Sequence, residues 1–360
     1  MKQVFNFNAG PAALPKEVLQ KAQAELLNYQ DSGLSVMELS HRSKQYESIQ
    51  NHATERLRTL MNIPDDYDIL YMQGGASLQF SAVPMNFLKE GKTANYCLTG
   101  SWSEKALKEA KKVGSTHIAS SSKEANYSHI PESLELSDNP AYLHITSNNT
   151  IFGTQWRTTP DLPAKVPLIA DMSSDILSRS IPVDDYSLIY AGAQKNLGPS
   201  GVTVVIVKKE LLERCPDNLP TMLNYQTYAK NSSLYNTPPT FSIYMLSLVL
   251  DWVADQGGVE QIEAINTEKA NLLYHVIDSS DNFYKGPARN DSRSNMNVTF
   301  TLPSEMLTKK FLQQASESGF VGLSGHRLIG GCRASIYNAV PLAHCEKLAQ
   351  FMKDFHTNFM

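Results

Sequence analysis

Apolar and polar positions follow two rhythms along this chain. Short apolar runs at 69–72, 94–98, 141–145, 167–170, 188–191 and 202–207 have the length of strands buried on both faces. Helical stripes lie between several of them. Residues 17–29 carry Val18, Ala22, Leu26 and Tyr29, and residues 103–113 carry Ala106, Leu107, Ala110 and Val113. Steps of three and four place such residues on one helix face. Strands of this kind alternating with helices predict an α/β fold, with a mainly parallel sheet covered by helices on both sides. After Thr240 the texture changes. Residues 241–255 and 259–278 read as two helices broken at Gly257-Gly258. An alternating strand (297–302), a helix (304–318), a strand (333–337) and a closing helix (342–355) then predict a smaller α+β unit. Ser304 is placed to cap the third helix by accepting from its free first-turn amides. There is no internal repeat.

Composition narrows the class. A length of 360 residues suggests about two domains, and 42% hydrophobic with 19% charged residues is ordinary for a globular chain. With a formal charge of −4, nothing favours nucleic acid or a membrane surface, so affinity for anions must come from local clusters. The apolar runs fall far short of the ~20 residues a membrane span needs. Residues 1–7 show no signal pattern, which makes cytoplasm the expected location. The four cysteines, Cys97, Cys215, Cys332 and Cys345, form no C-x-x-C pair, and free thiols in a reducing compartment are expected. No His/Cys/Asp spacing suits a metal, so none is expected.

Candidate chemistry centres on Lys195. A buried strand ends in Ala191-Gly192-Ala193, presents this lysine, then turns through Gly198, Pro199 and Gly201 into the next strand. Partial burial disfavours the ammonium form and suits an amine that attacks an aldehyde. An arbitrary lysine is far more often a solvated loop residue; the small, turn-rich flanks set this one apart. Asp171 ends the preceding apolar run, at the edge where parallel sheets place ligands. A carboxylate there could hold a pyridine nitrogen protonated, or simply cap the following turn. Residues 73–77, Gln-Gly-Gly-Ala-Ser, follow a strand and precede a helix beginning near Leu78. Helix amides, glycine and a serine hydroxyl there make an anion cradle. The segment matches neither G-x-G-x-x-G nor the P-loop pattern. Trp102 could stack on a planar ring, or fill a core.

Several longer motifs converge on one family. They are Asn6-Phe7-Asn8-Ala9-Gly10-Pro11, Met37-Glu38-Leu39-Ser40-His41-Arg42, Tyr190-Ala191-Gly192-Ala193-Gln194-Lys195-Asn196, Tyr235-Asn236-Thr237-Pro238-Pro239-Thr240, Gly325-His326-Arg327 and Arg333-Ala334-Ser335-Ile336-Tyr337-Asn338. Together they closely resemble the phosphoserine aminotransferase family of class V, nearly end to end. The resemblance implies a fold-type I enzyme using pyridoxal 5'-phosphate, a homodimer with shared active sites, and amino transfer between L-glutamate and 3-phosphohydroxypyruvate. Whether phosphohydroxythreonine of pyridoxine synthesis is also used stays open. The expected division is a large domain over 16–257 and a small one over 1–15 and 258–360.

By the same resemblance Lys195 holds the cofactor, Asp171 pairs with its ring nitrogen, Trp102 stacks on the ring and Thr150 bonds its hydroxyl. Ala76, Ser77 and Gln194 hold the cofactor phosphate, joined by Asn236 and Thr237 from the partner subunit. His41, Arg42, His326 and Arg327 bind the substrate phosphate or the side-chain carboxylate of glutamate, and Arg333 grips the α-carboxylate. Arginine suits both anions because its planar fork binds them bidentately. Some family members carry an arginine where this chain has Ser77, so that charge is missing here. Rival readings are a cysteine desulfurase-like lyase using Cys332 beside Arg333, and a phosphate-binding protein without chemistry. A dehydrogenase lacks its dinucleotide fingerprint.

Overall fold

A computed structural model describes residues 3–327 and 329–359; Met1, Lys2 and Met360, at the edges of the expected small domain, lie outside them, as does Leu328. The apolar runs form one seven-stranded sheet: β1 (Tyr67–Met72), β2 (Thr93–Leu98), β3 (Thr116–Ser121), β4 (Pro140–Thr146), β5 (Leu168–Asp171), β6 (Leu188–Gly192) and β7 (Thr203–Lys208). Their spatial order is β1-β7-β6-β5-β4-β2-β3. Only β7 runs against the rest, antiparallel to β1 and β6. Its direction follows from the short connection 193–202, closed by the Ala193 amide donating to the Val202 carbonyl at 3.0 Å. A parallel return would have needed a longer crossover.

Alternate residues of the inner strands enter opposite cores, as the two-residue repeat requires. Val204 and Ile206 of β7 join one apolar cluster, Val205 and Val207 the other. The first face is covered by α1 (Lys16–Glu25), α2 (Lys44–Met61) and α5 (Thr240–Asp255), the second by α3 (Gly75–Phe87) and α4 (Ser101–Ala110). Burying one such Val or Ile contributes about 1.5–3 kcal/mol, so these strands are anchored on both sides.

A third cluster forms a separate core. It draws on Phe5 and Phe7, on α6 (Gly258–Asp278) from Ala270 onward, on β8 (Asn297–Phe300), α7 (Glu305–Glu317), β9 (Cys332–Ser335) and α8 (Leu342–Phe359). The segment Phe5–Asn6 pairs in parallel with Phe320–Val321, and β8 pairs antiparallel with β9. Helix α6 serves two cores, because its Val259 and Ile262 pack with the large sheet. Ser304 caps α7, its hydroxyl accepting the Leu307 amide at 3.1 Å.

Several boundaries differ from expectation. The helix expected over 17–29 stops at Glu25, and Tyr29 reaches the core from a 3₁₀ turn instead. The next helix is Ser101–Ala110 rather than 103–113, and the late strands are Asn297–Phe300 and Cys332–Ser335. No range was expected for helix α2, and edge strand β3 was not expected at all. Among the described residues, no helix is long and apolar enough to cross a membrane.

Candidate active site

Every strand except β7 points its carboxyl end the same way, so the segments after β1, β2, β4, β5 and β6 meet along one edge of the sheet. Ligands of open α/β sheets bind at that edge. A cavity of about 360 Å³ opens there, a size suited to a small molecule.

Strand β5 delivers Asp171 into the cavity, 6% exposed, with Oδ1 accepting the Ser173 amide at 2.9 Å. Burial pushes its carboxyl above the usual range, opposed by the hydrogen bonding of Ser173 and the charge of Lys195. The β6–β7 connection delivers Lys195 from the next strand over. Burial lowers the basicity of its amine, while the carboxylates of Asp171 and Asp175 oppose that shift. Gly10, at φ +140°, lies against the lysine stem: a Cβ there would sit 3.5 Å from Lys195 Cγ.

Helix α3 begins at Gly75, not near Leu78. Its first helical bond runs from the Leu78 amide to the Gly74 carbonyl, so the amides of Gly75, Ala76 and Ser77 precede the ladder, as an anion site requires. The turn into the helix needs Gly74 at φ +85°. Trp102, in the first turn of α4, donates its indole N–H to Thr150 Oγ1 at 3.1 Å. Its ring lies 6.0 Å from the Lys195 ammonium, and the Lys105 ammonium sits over it at 4.3 Å.

Arg333 enters from β9, and its Nη1 donates to the Thr150 carbonyl at 3.0 Å. Its Nε is buried without a partner. His326 also lines the cavity; burial and the charges of Arg333, Arg327 and Lys105 push its imidazole toward the neutral form.

The cavity therefore gathers Ala76, Ser77, Trp102, Thr150, Asp171, Gln194, Lys195, His326 and Arg333. It does not gather His41, Arg42, Asn236, Thr237 or Arg327, which lie toward the surface of this chain. His41 and Arg42 precede α2, while Asn236 and Thr237 precede α5. Thr237 is linked to the anion cradle only through its carbonyl, 3.4 Å from Gln73 Nε2.

Several lining residues escaped sequence reasoning, among them Phe80, Thr146, Asn148 and Ile151. Thr146, the last residue of β4, has a buried hydroxyl with no partner. The apolar run at 141–145 stops one residue short of it, and following that strand to its end would have found it. Cys332 is 2% exposed, packed in the small core, and burial pushes its thiol up to about 12. A thiolate nucleophile is not available there. Cys332→Ala is accordingly expected to leave steady-state amino transfer unchanged; a loss of turnover in correctly folded variant would restore it as a candidate.

The family model of the class-V aminotransferases matches residues 4–348. A phosphoserine aminotransferase of Geobacillus kaustophilus (strain HTA426) is 65% identical over 361 residues, covering 100% of both chains. A solved structure describing radiation damage of the Schiff base in phosphoserine aminotransferase superposes with a TM-score of 0.98 at 60% identity, covering 99% of this chain and 100% of that one. The pyridoxal-phosphate-bound phosphoserine aminotransferase of Trichomonas vaginalis gives a TM-score of 0.92 at 40% identity, over 98% of this chain and 100% of that one.

Proposed function

The chain belongs to the class-V aminotransferases, and from that premise we propose reversible amino transfer from L-glutamate to 3-phosphohydroxypyruvate, giving 2-oxoglutarate and O-phospho-L-serine. Its cofactor is pyridoxal 5'-phosphate. The observation that carries the reading is Asp171 and Lys195 on neighbouring strand ends of one cavity, beside an open helix N-terminus. The orphaned Thr146 hydroxyl and Arg333 Nε in that cavity also call for a polar ligand.

In this reading the amides of Ala76 and Ser77, with Gln194, hold the cofactor phosphate. Asp171 holds the ring nitrogen and Trp102 lies against the ring. Thr150 Oγ1 already accepts from Trp102, which leaves its own O–H to donate to the ring oxygen. When bound, the cofactor supplies an electron sink for the bond broken at the substrate Cα. Lys195 would hold the cofactor covalently through its amine and, once that amine is free, would carry the Cα proton.

Arg333 would take the α-carboxylate in the same cavity that Lys195 lines. His326 and Arg327 take the distal anion. His41, Arg42, Asn236 and Thr237 lie off this chain's own cavity, and a second copy would supply them across a dimer interface. Leu27, Leu34, Met37 and Tyr235, near these segments in sequence, are exposed apolar side chains that a dimer contact would cover.

The deciding experiment is a half-reaction on cofactor-loaded protein without keto acid, followed by visible absorbance. L-glutamate and O-phospho-L-serine are expected to bleach the band, and unphosphorylated L-serine is not. Bleaching by L-cysteine alone, with release of sulfide, would replace this reading with the desulfurase.

A further inference from the structure

Two buried asparagines lie in the sequence motifs and have no part in the chemistry above. Asn196 directly follows Lys195, and Asn338 closes the stretch that starts at Arg333. They meet across the junction of the two cores. The Asn338 backbone N–H donates to Asn196 Oδ1 at 3.1 Å, and Asn196 Nδ2 donates to the Ile176 carbonyl at 3.0 Å. Asn338 Nδ2 donates to the Leu177 carbonyl at 2.9 Å, while its Oδ1 accepts from Asn266 Nδ2 at 2.9 Å.

The same turn is clamped from its other side. Lys269, three residues beyond Asn266 on α6, is fully buried and donates to the carbonyls of Ile336, Tyr337 and Val340 at 3.0, 2.9 and 3.1 Å. The neighbouring Tyr337 hydroxyl donates to the Ala9 carbonyl at 2.8 Å, beside the cavity wall. The turn 336–340 is thus held by directional bonds on every side, and it follows β9, the strand that carries Arg333.

We propose that Asn338, docked on Asn196, is a positioning residue that sets the reach of Arg333 over Lys195. The proposal rests on the reading of Arg333 as the α-carboxylate ligand and Lys195 as the proton carrier. An apolar contact would hold the two cores together yet allow them to slide. Hydrogen bonds between specific atoms fix the register, and this bridge ends one peptide bond from Lys195. A misplacement of about 1 Å between substrate Cα and the lysine can cost ~10²-fold in rate.

The test compares two variants in cofactor-loaded protein: Asn338→Ala removes the side-chain bonds to Leu177 and Asn266, and Asn196→Ala removes the acceptor of the Asn338 backbone amide. In each folded variant kcat for the glutamate reaction is expected to fall roughly 10–100-fold, with KM within about threefold. The pH titration of the visible band should also shift, since the lysine environment changes. In an Arg333→Ala background the added loss from Asn338→Ala should largely vanish, because both act through one geometry.

Parental kcat in either folded, loaded variant overturns the proposal. So do losses that simply multiply with that of Arg333→Ala. If Asn338→Ala does not fold, Asn196→Ala decides. If Arg333→Ala by itself leaves the KM for glutamate unchanged, the reading of Arg333 fails separately, and the band titration then decides whether the bridge positions Lys195.

Discussion

Lys195→Ala is expected to lower turnover by at least about 10⁴-fold, since the residue serves both as covalent holder and as proton carrier. No other lysine lines the cavity among the described residues to take its place. Lys105 is the nearest by chemistry, but it is exposed and stands over the Trp102 ring. The variant should still take up the cofactor, because the α3 amides, Asp171 and Trp102 are untouched. Dialysis and absorbance would show reversible binding without activity. Appreciable residual turnover would remove the core of the mechanism. The same protein tests the shared site. Mixed under subunit exchange with Arg42→Ala chains, it should form hybrids in which one site has an intact lysine and an intact arginine from opposite copies. Recovery of activity that neither variant has alone supports the dimer; no recovery, with exchange demonstrated, argues that Arg42 serves its own chain or none.

Asp171→Asn is expected to cost roughly 10²–10³-fold in kcat, the scale for removing one preorganised electrostatic partner from a reacting centre. The cofactor should remain bound, with KM little altered; a loss below tenfold would mean that another group holds the ring nitrogen. The same substitution should not destabilise the cofactor-free protein near neutral pH. Burial raises the folded-state pKa of Asp171 above its unfolded value. A carboxyl raised in this way opposes folding at pH above that folded value, where it is ionised in both states, and the opposition disappears as pH falls below the unfolded value. An amide removes the opposition. Thermal unfolding of the cofactor-free forms at neutral pH should therefore show Asp171→Asn at least as stable as the parent, a cost in stability that the parent bears for its chemistry.

The large sheet was legible because its strands are apolar on both faces, and runs such as 202–207 have little else they could be. Strand β3 was hidden for the opposite reason. It reads Thr-His-Ile-Ala-Ser-Ser, lies at the sheet edge and is largely open to water, so it carries no apolar run. Helix α2 does carry a signal, since Tyr46, Ile49, Ala53 and Leu57 are buried at helical spacing, but the polar residues between them mask it. Asp171 ends a buried strand and Lys195 follows one closely, so both could be picked out, because strand ends of a parallel sheet converge. Arg333 lies far along the chain in another core, and only the resemblance to a known family tied it to Lys195. The positions of His41, Arg42, Asn236 and Thr237 follow from no rule of local periodicity. Within this chain they look like ordinary residues of solvated loops.

The pairing of Phe5–Asn6 with Phe320–Val321 also bears on how the molecule is made. A ribosome delivers Phe5 and Phe7 first, yet the residues that cover them, from Ala270 to Phe355, emerge last. The large sheet can close around its own apolar faces while translation continues, but Phe5 and Phe7 cannot be covered until the final helices arrive. A nascent chain halted before Phe320 would therefore carry uncovered aromatic residues at Phe5 and Phe7 that invite chaperones or aggregation.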